Sequence, residues 1–231
     1  MEVVKKHIIF DLDDTLWDYK TNSREALLEL CDTYRLSEQG IDHNRFLQTF
    51  RHVNHDYWQR FDNGEISRDT IRLERFPTVF EKLALNPDGV ALRMQDDFMR
   101  ICPSKPGLVK GAEEVLEYLS KKYSLHILSN GFDEIQFTKL EAAGIESFFA
   151  NVITSGRVGF RKPQPEIFEF ALNEIGASRE ECVMIGDNPG SDIEGAYNYG
   201  IDQVYFNTHH KECAVMPTQT INELEELLQL F

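Results

Sequence analysis

The first apolar run of the chain, His7-Ile8-Ile9-Phe10, ends abruptly in Asp11-Leu12-Asp13-Asp14-Thr15-Leu16. Similar short aliphatic runs recur at Leu125–Leu128, Val152–Thr154, Val183–Ile185 and Val204–Phe206. Unbroken apolar runs of this length predict strands buried on both faces, as in a parallel sheet. Between them the apolar period becomes helical: Ala112, Val115, Leu116 and Leu119 share one face, as do Ile167, Phe168, Ala171, Leu172 and Ile175, and then Ile221, Leu224, Leu227 and Leu228. Gly144, Gly176 and Gly200 stand where helices should stop and strands begin. Strand and helix therefore alternate from about Lys110 onward, which predicts an α/β fold with a parallel sheet flanked by helices.

Trp17 to about Ser104 is patterned differently and reads as helices without a convincing strand. Ala26, Leu27, Leu30 and Tyr34 form one stripe, Phe46, Phe50, Val53 and Tyr57 a second, and Leu92, Phe98 and Met99 a weaker third. Breaks are expected at Gly40, Asn63-Gly64, Pro77 and Asn86-Pro87, and Cys102 to Gly107 reads as a hinge. The expected organisation is a core of residues 1–16 and 105–231 interrupted by a helical insert of residues 17–104, placed over the acidic loop.

Composition narrows the partners. The chain has 231 residues, enough for one sizeable core or for one core plus a smaller domain. Its net charge of −15 repels polyanions, so a nucleic acid polymer is not expected, whereas a small phosphorylated molecule is compatible if local cations reverse the sign in a pocket. Cys31, Cys102, Cys182 and Cys213 form no CxxC pair, which disfavours structural zinc and fits reduced thiols in a cytoplasmic protein. Neither a signal peptide nor a membrane span is expected. Monomer and homodimer remain open.

Three carboxylates at the end of a buried strand repel one another unless a cation offsets them. Asp11 and Asp13 suit a hard divalent metal with oxygen ligands, Mg2+ first and Mn2+ or Co2+ as substitutes. Polar groups follow the later strands in turn: Ser129-Asn130-Gly131, then Lys162, then Asp187 to Asp192. In a parallel sheet these loops converge at the carboxyl edge. There a carboxylate can attack a phosphoryl group, with metal and Lys162 offsetting charge and Ser129, Asn130 and Gly131 holding oxygens. Asp13 would protonate the leaving oxygen and then activate water, through a carboxyl raised by its acidic neighbours. Each motif has an ordinary reading too. An acidic pair caps turns, Ser-Asn-Gly is turn sequence, Lys162 could be a solvated loop cation, and Asp192 could be a helix N-cap. The joint occurrence, in order and each after a strand, favours chemistry.

The set Asp11-x-Asp13-x-Thr15, Ser129-Asn130, Lys162-Pro163 and Gly186-Asp187 with Asp192 resembles the four motifs of the haloacid dehalogenase-like hydrolase superfamily. The resemblance implies a doubly wound, Rossmann-like parallel-sheet core with an inserted helical cap. It implies Asp11 as nucleophile, Asp13 as general acid/base, and Mg2+ held by the Asp11 carboxylate, the Asp13 carbonyl and Asp187. Thr15 and Asp192 would support that shell, and Ser129 and Lys162 would bind phosphate. Asp13 argues against dehalogenase chemistry, and none of Lys20, Lys82 and Lys105 sits in an obviously apolar pocket sequence as a Schiff-base lysine for phosphonate hydrolysis would. A phosphomutase and a sugar-phosphate phosphatase stay open, as does a non-catalytic phospholigand binder.

Phe10 to Trp17, Asn130-Gly131-Phe132, Ser155-Gly156-Arg157-Val158-Gly159 and Phe206-Asn207-Thr208-His209-His210 resemble the pyrimidine 5'-nucleotidase branch. Its members dephosphorylate pyrimidine nucleoside monophosphates, noncanonical ones included. Trp17, Tyr57, Trp58, Phe61, Phe76 and Phe80 are candidates to border a base, the first three foremost, although helix packing explains most such aromatics. His52, Asn54 and His55 could add polar contacts or merely face solvent. His209-His210 reads as a polar loop near the sheet edge.

Overall fold

The computed structural model describes residues 4–231. The chain divides into two compact units, one of Met1–Tyr19 with Pro106–Phe231 and one of Lys20–Lys105.

The first unit is built on a six-stranded sheet. Its strands are β1 (His7–Phe10), β2 (Ser124–Ser129), β3 (Phe149–Thr154), β4 (Cys182–Gly186), β5 (Asp202–Phe206) and β6 (Gln219–Ile221). All pair in parallel, in the order β3-β2-β1-β4-β5-β6. This is the doubly wound arrangement, with the strand order reversing beside β1. The five expected runs are all strands. Successive side chains point to opposite faces, and both faces are covered. Ile9, Leu128, Ile153 and Met184 pack with Ile167, Phe168, Ala171 and Leu172 of a helix over Pro165–Ile175. Ile8, Phe10, Ile127 and Ile185, at alternate positions, are just as buried. Fully burying a side chain the size of Phe168 stabilises the unit by about 2–3 kcal/mol.

One expectation fails at the C-terminus. Ile221 does not open a helical face: it ends β6, paired with Phe206, and the helical turn begins only at Leu224. Three residues are too few to show a strand's period, and the edge ladder fixes them instead. Gly176 and Gly200 do end helices, with φ of 73° and 85°, values that a Cβ would strain.

The second unit is helical: α1 (Tyr19–Thr33, entering from the first unit), α2 (His43–Asp62), α3 (Arg68–Lys82) and α4 (Val90–Ile101). The Asp42 carboxylate caps α2 by accepting from Asn44 N at 2.9 Å, and Ser67 Oγ caps α3 by accepting from Thr70 N at 3.1 Å. Pro77 lies inside α3 rather than breaking it. The residue four earlier, Leu73, is exposed, while Ile71, Arg75, Phe76, Val79 and Phe80 carry one buried face through the proline. The third stripe also needs correction. Leu92 is exposed, and the buried face of α4 is Ala91, Met94, Gln95 and Phe98. The remaining helices belong to the first unit: α5 (Ala112–Leu119), α6 (Asp133–Ala142), α7 (Ser155–Val158), α8 (Pro165–Ile175), α9 (Gly195–Tyr199) and α10 (Leu227–Leu230). No described helix is long and apolar enough to cross a membrane. All four cysteines are free thiols.

Candidate active site

The reversal of strand order beside β1 separates loops that leave the sheet in different directions, opening a crevice at the carboxyl ends of the strands. Asp11 leaves β1 there and Asp187 leaves the adjacent β4. The turn after β1 is tight. Leu16 N and Trp17 N both donate to Leu12 O at 2.9 Å, and Asp14 takes a left-handed φ of 61°. This turn keeps Leu12 in the core and brings Thr15, also buried, back against Asp11.

Oxygen atoms of Asp11, Asp187 and Asp192 all lie within 4.8 Å of one another. Lys162 is fully buried, and its Nζ lies 2.7 Å from both Asp11 Oδ1 and Asp192 Oδ1. It is no solvated loop cation. Burial opposes its charge, but Asp11 and Asp192 more than compensate and hold the ammonium above its ordinary pKa. Burial pushes the Asp11 carboxyl up to about 7, against the pull of Lys162 and with help from Asp192. Asp187 is also raised well above the usual range, by burial first and then by Asp11 and Asp192. Three crowded carboxylates with one ammonium remain short of positive charge.

Asp192 is committed to protein partners. Its Oδ1 also accepts from Ser191 Oγ at 3.1 Å, and its Oδ2 accepts from Asn188 N at 3.1 Å. It lies inside a π-helical turn over Pro189–Glu194, whose cap is Asn188, so it is not the N-cap residue. Gly186 permits this approach: a Cβ there would collide with Asp192 Oδ2. Thr15 Oγ1 stands 3.4 Å from Asp11 Oδ2 and 3.5 Å from Asp187 Oδ1. Asp11 Oδ2 and Asp187 are therefore the carboxylate oxygens with lightly used lone pairs. They are hard donors in a charge-deficient, largely buried position, a set that fits Mg2+.

Ser129 is buried at the end of β2, and Gly131 N donates to its Oγ at 3.1 Å, which leaves the hydroxyl proton available. The Asn130 side chain turns to the lysine loop instead: Nδ2 donates to Lys162 O at 2.9 Å and Lys162 N donates to Asn130 Oδ1 at 2.8 Å. Ser155 Oγ donates to Asn130 O at 2.9 Å.

Asp13 sits differently from its neighbours. Its Oδ1 accepts from Lys139 Nζ at 2.5 Å and its Oδ2 from Gln136 Nε2 at 3.0 Å, both on α6. A cation and an amide adjoin it where sequence alone suggested only carboxylates. Trp17 is fully buried, with Lys139 Nζ 4.7 Å from its ring centroid, so its place is beneath that lysine. Tyr57 and Trp58 both lie on α2 in the helical unit: the Tyr57 hydroxyl pairs with Thr78 Oγ1 at 2.9 Å, and Trp58 meets Phe61 edge-on at 5.6 Å. His209 lies in the polar loop that follows β5, the strand beside edge strand β6. It lines a shallow recess with Asp187, Phe206, Asn207, Thr208 and Lys211.

Gln136, Lys139, Asn188 and Ser191 carry no role legible from motifs along the chain. A signal for the first two is present: Gln136, Lys139 and Leu140 fall at i, i+3 and i+4, so two polar residues occupy the buried face of α6.

A haloacid dehalogenase-like hydrolase family model matches residues 5–200. The pyrimidine 5'-nucleotidase YjjG of Escherichia coli is 30% identical over 226 residues, covering 96% of each chain. The pyrimidine 5'-nucleotidase PynA of Streptococcus pneumoniae is 29% identical over 228 residues, 96% of this chain and 93% of its own. The crystal structure of the HAD-hydrolase YfnB of Bacillus subtilis, bound to magnesium, superposes with a TM-score of 0.89 at 27% identity over 99% of both chains. With its doubly wound sheet and with carboxylates, serine and lysine gathered at the strand ends, the chain belongs to the haloacid dehalogenase-like hydrolases.

Proposed function

We propose that this hydrolase is a Mg2+-dependent phosphomonoesterase that prefers pyrimidine nucleoside 5'-monophosphates. The observation that carries the reading is the Lys162 ammonium held 2.7 Å from both Asp11 and Asp192, with Asp187 close by. When ionised, the three carboxylates and one ammonium are two positive charges short of balance, and a divalent ion would supply them.

Asp11 is the nucleophile. Its carboxylate oxygen attacks phosphorus, and the ester oxygen leaves with a proton from Asp13. Water then attacks the aspartyl-phosphate, giving its proton to Asp13 and releasing inorganic phosphate and the free Asp11 carboxylate. Lys162 offsets charge on the phosphoryl oxygens, and the Ser129 hydroxyl donates to one of them. Asp11, the Asp13 carbonyl and Asp187 would hold Mg2+, which lowers the repulsion between two anions at the moment of attack. Asp192 and Thr15 act through neighbours: Asp192 fixes Lys162, and Thr15 stands between Asp11 and Asp187. Residues 17–104 act as a cap that carries base specificity. The pyrimidine preference is supported by the two nucleotidase relatives and by the local motifs that resemble that branch.

A phosphate-release panel tests the substrate class: UMP, dUMP, dTMP, purine monophosphates and sugar phosphates. The expected order places kcat/KM for the pyrimidine monophosphates first. A sugar phosphate in first place overturns the specificity and leaves the mechanism standing. Undiminished turnover by Asp11→Asn overturns the mechanism.

A further inference from the structure

Asp13 has its two carboxylate oxygens engaged by two residues from one helix face, 123 and 126 positions away. Gln136 is fully buried, and its Oε1 faces no hydrogen-bond partner among the described residues. Turning the amide over would place that oxygen against the Asp13 carboxylate, so the orientation of Gln136 is set by Asp13. Gly131 is part of the same arrangement. A Cβ at 131 would collide with Gln136 Nε2, so the glycine makes room for the amide. Lys139 is 5% exposed and braced over the Trp17 ring at 4.7 Å, which limits where its ammonium can go. Three elements thus converge on one carboxylate: the turn after β1, the turn after β2 and α6.

We infer that Lys139 and Gln136 are positioning residues that fix the orientation of the Asp13 carboxyl group, so that its oxygens face the water that gives up its proton in the second half-reaction. The inference rests on the reading of Asp13 as acid and base given above. In that half-reaction the water oxygen bonds to phosphorus, the bond from phosphorus to Asp11 oxygen breaks with its electron pair returning to Asp11, and the water proton passes to Asp13. Two donors fixed on a helix keep the accepting oxygens from rotating away. Neither residue touches phosphate in this scheme.

The test uses p-nitrophenyl phosphate, whose leaving group needs no proton, so that a defect in Asp13 placement shows only in dephosphorylation. In Lys139→Met, kcat and KM should fall together by about tenfold or more, with kcat/KM within about threefold of the parent. A rapid burst of nitrophenolate should precede the slow steady state. Its amplitude counts working sites and separates a catalytic defect from misfolding. Lys139→Arg should restore most of the rate, and Gln136→Leu should show the same pattern in smaller degree. Unchanged kcat in both Lys139→Met and Gln136→Leu overturns the inference. So does a fall in kcat/KM at constant KM without a burst, since that places the defect before the aspartyl-phosphate. Activity in Asp11→Asn is a different failure, one that removes the underlying mechanism.

Discussion

The carboxamide of Asn130 pairs with the peptide of Lys162 in both directions, donating at 2.9 Å and accepting at 2.8 Å. Side chain and backbone thereby join the loop after β2 to the loop that carries the buried lysine, 32 residues onward. The motif asparagine thus spends its amide on placing Lys162, while its neighbour Ser129 keeps a hydroxyl to donate.

Asn130→Ala leaves the Lys162 N–H and C=O without this partner. The expected result is a loss of about 1–3 kcal/mol in stability, read by urea unfolding. A larger effect is expected on kcat/KM, tenfold or more on the order-of-magnitude scale for a misplaced catalytic group. Parent-like kinetics would show that Lys162 is held well enough by Asp11 and Asp192 alone.

The acidic cluster sets a pH dependence for the metal-free protein. Asp11 and Asp187 are carboxyls whose folded values are raised, Asp11 to about 7. Their contributions are fully present below the ordinary carboxylate range and are lost as pH rises, that of Asp11 through about 7. Mg2+ competes with those protons and favours the ionised cluster. Mg2+ at about a hundredfold over its Kd should raise Tm by about 5–10 °C at pH 8, and by clearly less at pH 5.5. Thermal scans with Mg2+ and with EDTA at both values check this, and an equal shift at the two would contradict it. EDTA should also abolish phosphate release, with recovery on adding Mg2+.

His126 gives an opposite slope at lower pH. It is buried in β2, with Asn151 Nδ2 donating to its Nδ1 at 3.1 Å and His7 Nδ1 at 3.2 Å from its Nε2. The Asn151 amide nitrogen can only donate, so the His126 proton sits on Nε2 and points to His7. Burial, aided by His7, pushes the His126 pKa down to about 4. The unfolded chain takes up a proton near 6.5 and the folded one does not, so stability falls as pH drops from about 6.5 to 4, by on the order of 3 kcal/mol. His126→Gln should flatten this slope in urea titrations between those values. An unchanged slope would assign it to other groups.

Arg75 is the buried cation of the helical unit. Its guanidinium donates to Asn54 Oδ1 at 2.8 Å and to Gln95 Oε1 at 3.1 and 3.2 Å, and its Cζ lies 5.1 Å from the Phe98 centroid and 5.3 Å from that of Phe50. A planar fork serves both the amides and the rings, which an ammonium cannot do. Arg75→Lys should therefore destabilise by about 2 kcal/mol and Arg75→Ala by about 3 kcal/mol or more, read by chemical denaturation. Tolerance of the lysine would show that charge alone suffices.

Much of the fold is legible along the chain because a strand buried on both faces has to be an apolar run, and β1, β2, β3, β4 and β5 all show one. Where the period is short or the residue ambiguous, the pattern misleads. Ile221 continues a helical stripe yet pairs in β6, and Pro77 marks a break yet sits in α3, because an edge ladder decides the first position and the buried face on either side of the proline the second. The chemical groups at the strand ends are local too: each of Asp11, Ser129, Lys162 and Asp187 lies in or just beyond a strand or its loop.

What the sequence determined by itself is the kind of group at the end of each strand and the order in which the groups come. Their partners were decided by tertiary structure. Lys162 reaches Asp11 because its loop, after β3 and α7, is tied by Asn130 to the loop after β2, which lies beside β1, and α6 brings Lys139 and Gln136 to Asp13 across more than a hundred residues. Periodicity records only which way a side chain faces. Strand order and helix docking are set by how whole faces pack, and these decide which charge meets which.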